Sequence, residues 1–181
     1  MTTTPVPAHL AQLVPLARAL RGAGHQVLVA GQPDVREVAE AAGLELAVVG
    51  GRFHPEDHPD LATDPKPLVG HARYLTPRYL ETARDWRPDL IVGSRLEYAS
   101  LVVAGALGIP VAHQRDPDPA ADALGDSLRG VAAFFLGGLC RRAGLSALPV
   151  PHLLSADEEP GRLVAVLERP ASQHTPRRTP A

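Results

Sequence analysis

The sequence predicts an α/β protein, a doubly wound parallel sheet flanked by helices, and three observations carry that prediction. Short β-branched runs alternate with amphipathic helical stretches from His9 to Gln114. The strand, helix, strand unit at 26–51 has the length of a right-handed crossover between parallel strands. Aromatic residues make up only 4% of the chain, so the core must be assembled from small aliphatic side chains, which suits βαβ layers.

From His9 to Ala23, Leu10, Leu13, Val14, Leu16, Ala17 and Leu20 recur at helical spacing, with Gln12, Arg18 and Arg21 on the other face and a glycine stop in "GAGH". "QVLVA" (26–30) reads as a buried strand closed by Gly31. Pro33 and Asp34 open a second helix that ends at Gly43, and "LELAVVGG" (44–51) is the next strand. The segment 50–67, rich in proline and acidic residues and without periodicity, is a long loop of the kind that carries function. A helix at 68–86 should be kinked or split at Pro77. "LIVG" (90–93), a helix at 96–108 and "PVAHQ" (110–114) repeat the unit, and 120–143 is helical with an apolar middle. Pro149 and Pro151 confine any strand within 148–155 to an edge or a start. One domain over 1–155 is expected, then a weak helix (156–169) and a tail of disordered composition (170–181).

The net charge is −2 and Lys66 is the only lysine, with arginines spread along the chain, so neither nucleic acid nor an anionic membrane surface is an expected partner. A single cysteine, Cys140, excludes an internal disulfide and suits a reducing compartment. No apolar run approaches the ~20 residues of a membrane span, and "MTTTPVPAH" lacks the basic start and apolar stretch of a signal peptide. A soluble, cytoplasmic chain is expected.

"PAHLAQLVPLARALRGAGHQVLVAGQPDVREVAEAAGLELAVVGG", with "RPDLIVGSRLEYASLVVAGALGIPVAHQR", resembles the N-terminal, acceptor-binding half of a GT-B fold glycosyltransferase. The likeness is to the actinomycete enzymes that attach deoxysugars to macrolides and polyketides, and it covers about residues 3–150. That fold is Rossmann-like. His9 and the Gly24-His25 pair, with the two histidines 16 positions apart, match the family's spacing and put His9 at the place of the catalytic base. The resemblance implies inverting transfer of a sugar from a nucleotide-diphosphate sugar, a co-substrate rather than a cofactor, to a natural-product hydroxyl. A near-neutral imidazole suits the removal of that proton.

Two departures from the family pattern shape further expectations. Many relatives orient the histidine with an aspartate, and Ser94, which cannot supply that charge, stands at that position, so His9 lacks the usual partner unless Glu97 three residues on reaches in. The family's first strand is missing or truncated before Met1, and its donor site belongs to a C-terminal half that this sequence does not match after about Pro151. The chain alone is therefore expected to lack a donor site, with a hydrophobic small-molecule acceptor as ligand and a separate donor domain or full-length glycosyltransferase as partner. The second expectation is a non-catalytic relative that binds an aglycone or a partner.

Phe53, His54, Tyr74, Glu97 and His113 are the expected acceptor contacts, because the long loop and the residues just past strands line the ligand crevice of open α/β sheets. Tyr79 and Trp86 fit core or rim better. His54 and His58, with Glu56 and Asp57 between them, resemble a metal set. Pro55 and Pro59 deny them a shared helix face, and no metal is expected.

Overall fold

A computed structural model describes residues 1–60, 64 and 66–155. The expected helix at 156–169 and tail at 170–181 lie outside the described residues. The elements are α1 (Pro7–Gly22), β1 (Leu28–Gly31), α2 (Arg36–Ala41), β2 (Glu45–Val48), α3 (Lys66–Trp86), β3 (Ile91–Gly93), α4 (Ala99–Leu107), β4 (Val111–Gln114), α5 (Pro119–Arg142) and β5 (His152–Leu154), with single 3-10 turns at Pro33–Val35 and Pro55–Asp57.

All strand pairs are parallel: β1 with β2 from Leu28 opposite Glu45, β3 with β4 from Ile91 opposite Val111, and β4 with β5 from Ala112 opposite His152. The first four residues join the two groups. Thr2 bridges both Ala30 and Gly93 in parallel register. The N–H of Ala30 donates to the Met1 carbonyl at 2.7 Å, Thr2 N–H to the Val92 carbonyl at 2.8 Å, and Ser94 N–H to the Thr2 carbonyl at 3.2 Å. A short N-terminal segment thus fills the central place of the sheet, where the sequence led us to expect no strand. The order across the sheet is β2, β1, residues 1–4, β3, β4, β5. From the centre the chain winds one way through β1 and β2 and then the other way, so the switch point lies where residues 1–4 meet β3.

Both faces of the sheet are covered. On one, Leu10, Leu13, Ala17 and Leu20 of α1 pack with Val29, Val35, Ala39 and Val92. On the other, α3, α4 and α5 bury Val69, Leu75, Leu101, Leu128 and Leu136 against Ala30 and Ile91. Neighbouring strand residues Val29 and Ala30, like Val92 and Ile91, fall in opposite clusters, as strand alternation requires. At about 25 cal/mol per Å² of apolar area, burial of these aliphatic chains is the main stabilising contribution.

Two helices also differ from the sequence reading. Pro77 does not split α3, which runs unbroken through it. Pro77 is exposed while Leu75, Thr76 and Tyr79 are buried, so the carbonyl left without a partner by the missing N–H faces water. α5 is long and apolar enough by length and composition to cross a membrane, although no such span was expected. Its Leu128, Ala132, Leu136 and Cys140 are buried in the core.

Candidate functional site

His9 lies on the third position of α1, one turn after the chain leaves the central segment. Pro7 at the helix start presets φ, and the backbone N–H of His9 donates to the Val6 carbonyl at 3.0 Å. The ring bends back to the central segment, where Nδ1 sits 2.5 Å from Thr4 Oγ1. Thr4 is itself fixed: its N–H donates to Ser94 Oγ at 3.4 Å and its hydroxyl oxygen accepts from Val6 N–H at 3.5 Å. The Tyr79 hydroxyl donates to the Thr3 carbonyl next door at 2.8 Å. This is the switch point, the place where open α/β sheets bind ligands.

Burial holds the His9 pKa below its ordinary 6.5, while the negative charge of Asp116 pushes it up. His9 is therefore neutral at neutral pH and able to accept a proton. Asp116 follows β4 and reaches α1, its Oδ2 accepting from Gln12 Nε2 at 3.3 Å. Its Oδ1 accepts from Asp118 N–H at 2.9 Å, and its own N–H donates to Asp122 Oδ1 at 3.3 Å. Asp122 in turn pairs with Arg95 at 2.8 Å and Arg115 at 2.5 Å, and Arg95 also pairs with Asp126 at 2.7 Å.

The residues expected around His9 are placed differently. Ser94, at the position of the orienting aspartate, meets Thr4 rather than the imidazole. Glu97 does not reach in and cannot meet an acceptor. It is 2% exposed, and its carboxylate caps α4, accepting from Ala99 N–H at 2.7 Å and Ser100 N–H at 3.0 Å. Burial raises its pKa. His113 is likewise withdrawn from any acceptor, 1% exposed with Nε2 3.1 Å from Ser100 Oγ. Burial, helped by the Arg95 charge, pushes its pKa down to about 3. Both side chains turn inward to α4 although their backbone lies just past a strand.

The loop residues assemble. Phe53 stacks on His58 at 4.8 Å between ring centroids and tilts against His71 at 4.7 Å, His71 meets Tyr74 at 5.0 Å, and the Arg78 guanidinium lies 3.7 Å over the Tyr74 ring. Asp34 fixes the loop by accepting from Phe53 N–H at 3.1 Å and His54 N–H at 3.3 Å. Gln32, buried just past β1, donates to the Gly51 carbonyl and contacts His71 Nε2 at 2.9 Å. His54 turns away to Glu56, 2.9 Å from its Nδ1. With His58 occupied by Phe53, the metal-like set does not converge, and among the described residues no group of three or more His, Cys, Asp or Glu is arranged to hold a metal ion. Tyr79 is core, and Trp86 is a half-exposed rim residue. It lines a cavity of about 330 Å³ with Met1, His25, Val27 and Leu90 at the amino ends of the strands. None of His9, Ser94 and Asp116 lines that cavity.

Sequence reading missed Thr4, Asp116, Gln32 and His71. Position just past a strand is a usable signal for Gln32 and Asp116, whereas the Thr4 contact depends on the path of the chain between residues 4 and 9.

No family model matches the chain. Curated relatives include the 10-deoxymethynolide desosaminyltransferase of Streptomyces venezuelae, 33% identical over 59% of this chain and 32% of that protein. The elloramycin glycosyltransferase ElmGT of Streptomyces olivaceus is 32% identical over 74% of this chain and 40% of its own length. The L-demethylnoviosyl transferase of Streptomyces niveus is 32% identical over 83% and 42%. The chain thus spans less than half the length of these relatives. Among solved structures, the glycosyltransferase SnogD from Streptomyces nogalater superposes with a TM-score of 0.64 at 29% identity, covering 85% of this chain and 43% of that one. SsfS6, a glycosyltransferase of Streptomyces sp. SF2575, gives 0.62 at 29% identity over 85% and 48%. In sequence and in fold, the chain is similar to one Rossmann-like half of the actinomycete GT-B glycosyltransferases of macrolide and polyketide biosynthesis.

Proposed function

We propose that the chain is the acceptor-binding half of a natural-product glycosyltransferase, with His9 as its general base. The observation that carries this reading is a neutral imidazole at the switch point with one ring nitrogen already engaged by Thr4. The co-substrate is a nucleotide-diphosphate sugar, and no other cofactor enters the reaction. As the acceptor oxygen attacks the anomeric carbon, the free imidazole nitrogen takes its proton. The bond to the diphosphate breaks, the nucleotide diphosphate leaves, and the anomeric configuration inverts. Asp116 then stabilises the charged imidazole. The Phe53, His71 and Tyr74 rings offer an aromatic surface to a hydrophobic acceptor. The diphosphate site comes from a separate donor domain or a full-length glycosyltransferase, and the complex works in the cytoplasm.

The test is transfer by the chain combined with a donor half, wild type against His9→Ala. The expected loss is about 10²–10⁴-fold in kcat, the contribution of general base catalysis. Unchanged turnover would overturn the role of His9.

A second reading is favoured by one observation: among the described residues no carboxylate hydrogen-bonds the imidazole directly, since Ser94 meets Thr4 instead. On that reading the chain is a non-catalytic module that binds an aglycone or a partner. Titration of the purified chain with nucleotide-diphosphate sugars separates the two, because donor binding contradicts the module.

A further inference from the structure

We infer that Thr4 is the positioning residue of His9: its hydroxyl oxygen accepts a hydrogen bond from Nδ1–H and so leaves Nε2 as the unprotonated, basic nitrogen. The inference gains its catalytic meaning from the transferase reading above. Its test does not depend on turnover.

Three observations support it. First, the contact is short, 2.5 Å, and it occupies one ring nitrogen, so only the other is open to an acceptor. Second, Thr4 is rigidly placed. It is 2% exposed, belongs to the segment in the central place of the sheet, and is tied through its N–H to Ser94 Oγ. A side chain so held imposes its geometry on the ring rather than following it. Third, Thr4 Oγ1 has two lone pairs, and Val6 N–H approaches it at 3.5 Å, which leaves the second lone pair for Nδ1–H. Were the hydroxyl to donate to Nδ1 instead, the proton would sit on Nε2 and His9 would have no free lone pair for an acceptor hydroxyl.

A carboxylate bonded to a catalytic histidine does two things: it fixes the tautomer and it stabilises the imidazolium. Here the two tasks fall to different residues. Thr4 is neutral and orients the ring. The charge comes from Asp116, which approaches from the loop after β4 and is the described charge that acts on His9. The serine at position 94 fits the same division, because it holds the backbone of the residue that does the orienting.

The experiment is long-range 1H–15N correlation of the imidazole in the 15N-labelled full chain at pH 7.5, with His9 assigned by loss of its signals in His9→Gln. In wild type the expected major species carries the proton on Nδ1. Thr4→Ser keeps that pattern, since the hydroxyl remains. Thr4→Val, with its fold checked by the amide spectrum, shifts the ratio of Nδ1–H to Nε2–H by about tenfold toward Nε2–H, the scale of one ordinary hydrogen bond. An Nε2–H majority in wild type overturns the proposal even if Thr4→Val does not fold, and so does an unchanged ratio in folded Thr4→Val. Loss of transfer activity in His9→Ala with an unchanged tautomer in Thr4→Val would sink this inference and leave the transferase reading standing. The reverse pair of results would do the opposite.

Discussion

Gln12 donates to Asp116 across 3.3 Å, which holds a carboxylate from the loop after β4 against α1 one helical turn beyond His9. The two influences on His9 oppose each other: burial lowers its pKa and is the larger, and the Asp116 charge raises it. Asp116→Asn is therefore expected to lower the His9 pKa further, and Gln12→Ala to do so less, by loosening the carboxylate. NMR titration of His9 checks both. A higher pKa in Asp116→Asn would contradict the arrangement.

His113 makes the fold sensitive to acid. Its folded pKa is about 3, against an ordinary 6.5, because it is buried beside Ser100 and near the Arg95 charge. Between those two values the unfolded chain binds a proton that the folded chain does not, so stability is fully present above pH 6.5 and is lost as pH falls toward 3. The slope is at most about 1.4 kcal/mol per pH unit. Glu97 works the other way. Its raised pKa means that the folded chain keeps a proton above 4.5, and stability declines as pH rises through its folded value. His113→Gln keeps a hydrogen-bonding partner for Ser100, whose hydroxyl donates to the Glu97 carbonyl, and removes only the first effect. The urea midpoint at pH 7 minus that at pH 5 should therefore be smaller in His113→Gln than in wild type, and an equal difference would show that His113 does not titrate with unfolding.

The legible parts of this molecule were those set by short-range pattern. α1 and the β1–α2–β2 crossover follow from apolar spacing and glycine stops over a few turns, and β5 appears where Pro149 and Pro151 allow it, at an edge. The site was legible only in outline. His9 was singled out by the Gly24-His25 spacing of a family pattern, but its environment is built by contacts such as Gln12 to Asp116, separated by 104 residues. Glu97 and His113 misled for a definite reason. Residues just past a strand do lie at the ligand edge, yet position along the chain says nothing about whether a side chain faces the crevice or turns in to α4. The central segment was unexpected because four residues with three threonines carry no apolar strand pattern; their place in the sheet comes from hydrogen bonds to β1 and β3 on both sides.

The Arg95–Asp122 pair ties the loop after β3 to α5 and, through Asp122, to the backbone of Asp116. The side chains are only 4% and 11% exposed, so removing one partner leaves the other buried with only its outer partner, Asp126 for Arg95 and Arg115 for Asp122. Asp122→Ala and Arg95→Met are each expected to lower stability by roughly 1–3 kcal/mol, less than the loss of a sole partner because Asp126 and Arg115 remain. The double variant should lose clearly less than the sum, because each single change already breaks the contact the two residues share. Asp122→Ala should also shift the His9 titration, as Asp116 loses its backbone anchor, whereas a stability loss that is additive in the double variant would mean that the pair acts as two independent surface charges.

Gly50 sets the position of Tyr74. Its φ is +73°, a left-handed value that costs other residues strain, and a Cβ there would stand 2.8 Å from the Tyr74 ring. The tyrosine hydroxyl accepts from Gly51 N–H at 3.1 Å, so the turn after β2 and the aromatic ladder are one unit. Tyr74→Phe removes that acceptor alone and is expected to cost about 1 kcal/mol. Gly50→Ala adds backbone strain to ring displacement, and its loss should be the larger of the two in urea unfolding. Because α3 presents His71 and Tyr74 on the same side, displacing the ring should weaken binding of a flat aromatic acceptor analogue measured by fluorescence quenching, with the His9 pKa unmoved. Full acceptor affinity in Gly50→Ala would mean that the Phe53, His71 and Tyr74 surface only packs the loop and does not receive the acceptor.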